Sequence, residues 1–162
     1  MSALSRRDCT ACHTRARRWD RRASGGALRA LKAERIGHGA HSIEDPELVA
    51  YLVEHHIPLE VCPTSNIRLG VYPSLSEHPL RHLIEAGVPV TVNSDDPPLF
   101  NTTLNDEVVL LHQAFGLDVR TIDEVLLNGV RCSFLPQGRK REMEETFSRE
   151  LGALRGVLVP GE

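Results

Sequence analysis

The sequence predicts an α/β fold. From about residue 24 onward, short β-like runs alternate with amphipathic helical stretches, and strands that alternate with helices of this length pair in parallel through right-handed crossovers. Polar and ionisable residues also gather where each β-like run ends, at His38, at Cys62 to Asn66, and at Asp95 with Asp96. In barrels and open α/β sheets alike, the carboxyl ends of the strands collect ligands and catalytic groups.

The elements follow in order. Gly26 to Lys32 reads as the end of a helix, and Arg35-Ile36-Gly37-His38 as a short strand opening into a loop at Gly39. Pro46 suits the first turn of a helix, and Leu48, Val49, Leu52 and Val53 then recur at helical spacing as far as His55 and His56. Pro58 to Cys62 is the second strand, closed by Pro63 and followed by a loop of turn formers that includes Thr64, Ser65, Asn66, Gly70, Pro73 and Ser74. His78 to Ala86 is helical with Gly87 as its C-terminal cap, and Val88 to Val92 is the third strand. Beyond it, Thr103 to Phe115, Thr121 to Gly129 and Lys140 to Leu154 read as helices, broken by Gly116, Pro136 and Gly138.

The 162 residues are 41% hydrophobic and 25% charged, values of an ordinary soluble domain that exclude disorder, collagen and coiled coil for the whole. No window resembles a membrane span or the apolar core of a signal peptide, so a cytoplasmic protein is expected. Residues 1–35 hold ten Lys and Arg against three Asp and Glu, a local charge of +7, whereas residues 36–162 carry -10. Residues 1–23 thus form an atypical basic segment ahead of the unit at 24–162. A nucleic-acid arm is not expected there, because the run has one aromatic, Trp19, and no periodicity. Four cysteines are too few and too irregular for a disulfide framework, and Cys9-Thr10-Ala11-Cys12-His13 is read as a chance match to the haem-attachment pattern.

Two groups carry chemistry. His38 lies between Gly37 and Gly39, which remove side-chain bulk and let a ligand approach the imidazole; the alternative is a turn histidine bonded to its own loop. Asp95 and Asp96 would repel one another unless a cation compensates, and as neighbours at a strand end they point apart, so one can ligate a divalent metal while the other faces a substrate. The alternative there is a solvated Asx turn before Pro97.

Arg35 to Gly39, Val61-Cys62-Pro63-Thr64-Ser65-Asn66 and Asn93-Ser94-Asp95-Asp96-Pro97 together resemble, in order and spacing, the carboxyl-terminal half of the adenosine and adenine deaminase family of metal-dependent α/β barrels, over about residues 24–137. The resemblance implies a partial TIM (β/α) barrel, since three strands cannot close a barrel of eight strands and about 250 residues. Open strand edges then imply self-association. It also implies hydrolytic deamination of a small purine nucleoside, with Zn²⁺ as cofactor. Asp95 resembles the zinc-binding carboxylate, Asp96 the one that contacts N7 of the base, and His38 the histidine beside the metal-bound hydroxide. His13, 25 residues before His38, resembles a further zinc ligand. Gly37 before His38 resembles members acting on nucleosides, while Ser74 to Leu80 and the D-D-P-P-L-F stretch resemble bacterial members acting on modified adenosines such as aminodeoxyfutalosine; adenine is the other variant.

The sequence also departs from the family. It contains neither the H-x-H zinc pair nor the H-A-G-E tetrapeptide, whose glutamate protonates the purine ring. With GC-rich codons, the residues after His13 read Ala-Gly-Glu in a neighbouring frame, so a shifted or mis-started reading of residues 1–23 is expected, with the missing strands encoded upstream. A chain with His13 and Asp95 alone on zinc is expected to be catalytically impaired. The competing expectation is a non-catalytic remnant or interaction module of the same fold.

Overall fold

The computed structural model describes Leu28 and residues 33–158. Three parallel strands, β1 (Ile36–Gly37), β2 (Leu59–Val61) and β3 (Val90–Val92), lie in the order β1-β2-β3. Their register pairs Ile36 with Leu59, Leu59 with Val90, and Val61 with Val92. Each strand is shorter than the apolar run that predicted it. Ladder bonds nevertheless extend past the strand ends, from the His38 amide to the Glu60 carbonyl at 2.8 Å and from the Asn93 amide to the Val61 carbonyl at 2.9 Å.

The crossover after β1 runs through a 3₁₀ turn (Ala40–Glu44) into α1 (Pro46–Glu54). The Asp45 carboxylate accepts the amides of Glu47 and Leu48, both at 3.1 Å, and Pro46 sits in the first turn, where its missing N–H costs nothing. The helix buries Leu48 and Leu52, and the chain reverses at His56 with φ 51°. After β2 come α2 (Pro63–Arg68) and α3 (Leu80–Glu85); after β3 come α4 (Pro97–Phe100), α5 (Leu104–Gln113), α6 (Val119–Arg131) and α7 (Gln137–Leu158).

Two short helices correct the sequence reading. Thr64 to Asn66, expected as loop, lie in α2, and Pro97 to Phe100 form α4. Both begin at a proline, separated by one residue from β2 for α2 and by four residues from β3 for α4, where the preset φ starts a turn that composition reads only as loop. Gly138, expected to break the last helix, lies in the first turn of α7, where the Pro136 carbonyl accepts the Arg139 and Lys140 amides. The helix expected at Gly26 to Lys32 lies outside the described residues except for Leu28, which is buried.

The core lies between the sheet and its helices. Leu52, Leu59, Val61, Leu80, Leu83 and Leu111 are each fully buried, so aliphatic side chains fill the interior that aromatics do not. Glu60, between Leu59 and Val61, points to the opposite face and pairs with Arg35 at 3.2 Å. At the outer edge of β3 the Asn128 side chain of α6 donates to the Val90 carbonyl at 3.1 Å, so this edge is partly engaged.

Candidate active site

All three strands end in turns that carry the chemistry. After β1, His38 and Gly39 both adopt left-handed conformations, with φ 63° and 65°. Glycine is required at 39 on two counts, since a Cβ there would also lie 2.7 Å from Leu59 Cδ2. The turn buries the His38 side chain to 7% exposure. After β2, Cys62 is buried as the N-cap residue of α2, and Ser65 lies in that helix. After β3, Asp95 is again left-handed, with φ 59°. Its backbone is open to solvent while its side chain is only 16% exposed and turns inward.

These turns bring His38, Cys62 and Asp95 together, with one donor atom from each within 4.8 Å of the others. The Ser65 hydroxyl donates to Asp95 Oδ2 at 2.7 Å, and His38 Nε2 lies 3.9 Å from the same oxygen. An imidazole, a thiol and an oriented carboxylate are a donor set that suits a borderline divalent metal such as zinc better than magnesium or calcium.

Of the four residues singled out by sequence, His38 and Asp95 converge. Asp96 does not join them. Its Oδ1 accepts the Leu99 amide at 3.1 Å and caps α4, which is the turn geometry left open above, on an exposed residue at the rim. His13, with the rest of residues 1–23, lies outside the described residues.

The residues that support the cluster carry no signal in composition or periodicity. Glu107, fully buried on α5, accepts the Thr102 hydroxyl at 2.8 Å and the Thr64 amide at 3.2 Å, and so ties the turn after β3 to the one after β2. His78 is buried with Nε2 donating to Asn66 Oδ1 at 3.0 Å and Nδ1 accepting the Leu80 amide at 3.2 Å. Burial, and then the charge of His41, lower its pKa from 6.5 to about 4, so the ring is neutral. Tyr72, edge-on to His78 and stacked on His41, has its hydroxyl pKa raised, first by burial and then by Glu44.

The family model for adenosine deaminase matches residues 24–149. The chain belongs to the adenosine deaminase family. Over 120 residues it is 52% identical to the aminodeoxyfutalosine deaminase of Streptomyces coelicolor, covering 74% of this chain and 31% of that protein. Over 117 residues it is 44% identical to the adenine deaminase of Rhizobium leguminosarum bv. trifolii, covering 72% and 36%. The chain thus spans about a third of the length of the curated relatives it matches. Among solved structures, the adenine deaminase of Arthrobacter aurescens superposes with a TM-score of 0.77 at 34% identity, over 81% of this chain and 40% of that one. A zinc-bound amidohydrolase of Burkholderia ambifaria gives 0.80 at 25%, over 86% and 39%. These neighbours are TIM-barrel amidohydrolases, and the three parallel strands with their helices are a partial barrel of that kind.

Proposed function

We propose that the strand-end cluster is part of the active site of a zinc-dependent deaminase acting on adenosine or a related aminopurine nucleoside. The observation that carries this is the convergence of His38 and Asp95, two turns from different strands, with Ser65 holding the carboxylate at 2.7 Å. Zinc, when bound, supplies a water acidic enough to act as a nucleophile near neutral pH.

Asp95 is the ligand from this segment, joined by His13. His38 Nε2 orients the attacking water and takes part in its deprotonation. Asp96, at the rim, meets the base at N7. Attack at C6 and loss of ammonia then give the 6-oxo purine.

The substrate reading favours nucleosides over adenine, and it takes support from the similarity to an aminodeoxyfutalosine deaminase. The written sequence has no H-A-G-E glutamate to protonate the ring, so turnover by this chain is impaired; general acid catalysis alone is commonly worth about 10²- to 10⁴-fold. No helix among the described residues is long and apolar enough to cross a membrane, and a cytoplasmic enzyme on a small purine is the proposed setting.

Ammonia release by the purified, zinc-supplemented chain tests the reading. Slow turnover of adenosine or aminodeoxyfutalosine, abolished in Asp95→Ala and His38→Ala, is the expected result. Turnover of adenine alone would overturn the choice of nucleosides. No turnover of any of the three would leave the non-catalytic remnant, which the absent H-x-H and H-A-G-E motifs favour.

A further inference from the structure

We propose that Glu107 is a positioning residue of the deaminase site, acting through Thr64 and Ser65 to hold the Asp95 carboxylate in its inward direction. The proposal rests on the deaminase reading above and adds to it a residue that lies outside the strand-end cluster.

Ser65 sits on α2, a helix of six residues, and a helix that short does not hold its own shape or direction in water. Its first turn also lacks the usual cap. Cys62, the N-cap residue, makes no side-chain bond to the turn, and Pro63 has no N–H. The Thr64 amide is answered instead from α5, by Glu107 Oε2 at 3.2 Å, 43 residues along the chain. On the other side of Ser65, the Asn66 side chain accepts from His78 Nε2 at 3.0 Å. The residues before and after Ser65 are thus both tied to elements outside α2, and the hydroxyl between them donates to Asp95 Oδ2 at 2.7 Å. A hydrogen bond weakens steeply as its angle closes, so a small roll of α2 would release the carboxylate.

Glu107 joins the two segments whose side chains meet. It is fully buried, and no Lys, Arg or His among the described residues forms an ion pair with it. Burying a carboxyl group without a cation costs free energy that a leucine in the same place would not incur. What it returns is geometry. Oε1 accepts the Thr102 hydroxyl at 2.8 Å, between α4 and α5, while Oε2 reaches α2, so one planar group fixes the chain leaving β3 against the chain leaving β2. Asp95 belongs to the first of these segments and Ser65 to the second. Outer hydrogen bonds of this kind orient a ligating carboxylate, and here the outer bond is itself held by a buried neighbour.

The experiment reads the carboxyl carbon of Asp95 by NMR in the zinc-free chain at neutral pH. Ser65→Ala should move that signal, because its hydrogen bond is lost. Glu107→Leu should move it in the same direction, and Ser65→Ala/Glu107→Leu no further than Ser65→Ala alone, since both changes act on one path. Asp45→Ala, which removes the cap of α1, controls for lost stability and should leave the signal in place. Should Glu107→Leu fail to fold, Thr102→Val, which frees one end of the carboxyl group, takes its place: it should move the signal in the same sense by less, and not at all in the Ser65→Ala background. The proposal is overturned by a signal that stays put in Ser65→Ala or in the Glu107 or Thr102 variant, by a double variant that moves beyond Ser65→Ala, or by an equal shift in Asp45→Ala. Zinc competition then separates the proposal from the reading beneath it. Affinity should fall about tenfold in Ser65→Ala and Glu107→Leu alike, and no further in the double variant. Zinc binding by the parent with an unmoved signal overturns the positioning role alone; the full NMR pattern in a parent that binds no zinc overturns the metal-dependent reading alone.

Discussion

Acidification should destabilise this chain through one histidine. Both nitrogens of His78 are committed in the neutral ring: Nε2 donates to Asn66 and Nδ1 accepts from the Leu80 amide. A second ring proton would set N–H against N–H in a site that is 4% exposed, with His41 and Tyr72 alongside and Glu44 beyond them. The folded pKa is about 4, while the unfolded ring titrates near 6.5. The unfolded chain therefore takes up a proton that the folded chain refuses. Stability from this group is full above pH 6.5 and falls as pH drops toward 4. Linkage gives a loss of about 2 kcal/mol at pH 5 and about 3 kcal/mol at pH 4. Urea unfolding of the parent and of His78→Gln at pH 7 and pH 5 isolates the effect, because the carboxylates cancel in the difference. The parent should lose about 2 kcal/mol more than the variant over that interval. Equal losses would refute the reasoning, and so would an NMR titration of the parent in which the His78 ring protonates near 6.5; the latter needs no variant to fold.

Gly39→Ala should cost about 2–4 kcal/mol, combining a left-handed residue with a Cβ driven into Leu59, and a urea midpoint unchanged from the parent would contradict it. Glu107→Ala should cost about 1–3 kcal/mol or more by stranding the Thr64 amide and Thr102 hydroxyl, read as a lower melting temperature. Ser65→Ala should leave the melting temperature nearly unchanged but weaken zinc binding about tenfold, measured by competition with a chromophoric chelator. Leu59→Ala, in a fully buried strand position, should cost about 2–5 kcal/mol in the same unfolding assay.

What was legible in the sequence was whatever a local rule controls. The runs Pro58 to Cys62 and Val88 to Val92, the Asp45-Pro46 helix start and the Gly87 cap each depend on a few neighbouring residues; the two strands form inside their runs, and the helix start and the cap stand where their patterns put them. The helix at Pro63–Arg68 was missed because Thr64, Ser65 and Asn66 are turn formers by composition, and only the proline ahead of them and the strand before it make the turn helical. The sequence has Asp95 and Asp96 pointing apart, one toward a metal and the other toward a substrate, with an Asx turn before Pro97 as the alternative. Their separation into an inward carboxylate and a helix cap depends on the left-handed φ at Asp95, which no residue pattern announces for a non-glycine. The contacts of Glu107 with Thr64 and of His78 with Asn66 bridge 43 and 12 residues, and such partners become visible only when the strands fix their distance.

The left-handed residues also explain how three short strands aim side chains so closely. A side chain on a strand points to one face of the sheet, so His38 and Asp95 in extended conformation would follow the alternation of their strands. A positive φ at the last turn breaks that alternation and redirects each side chain inward, at a cost of about 1 kcal/mol or more for a residue with a Cβ. Histidine and aspartate are among the residues that tolerate this region best, so the residue types suited to metal chemistry are also the ones the turns can hold. The cost is met locally: the His38 amide completes the ladder with Glu60, the Asp95 carboxylate accepts a hydrogen bond from the Ser65 hydroxyl, and Gly39 clears the space above Leu59 that the turn needs. Relaxing either turn would therefore loosen the cluster while leaving the sheet intact, which places the demand for precision in the turns and the demand for stability in the apolar layer beneath them.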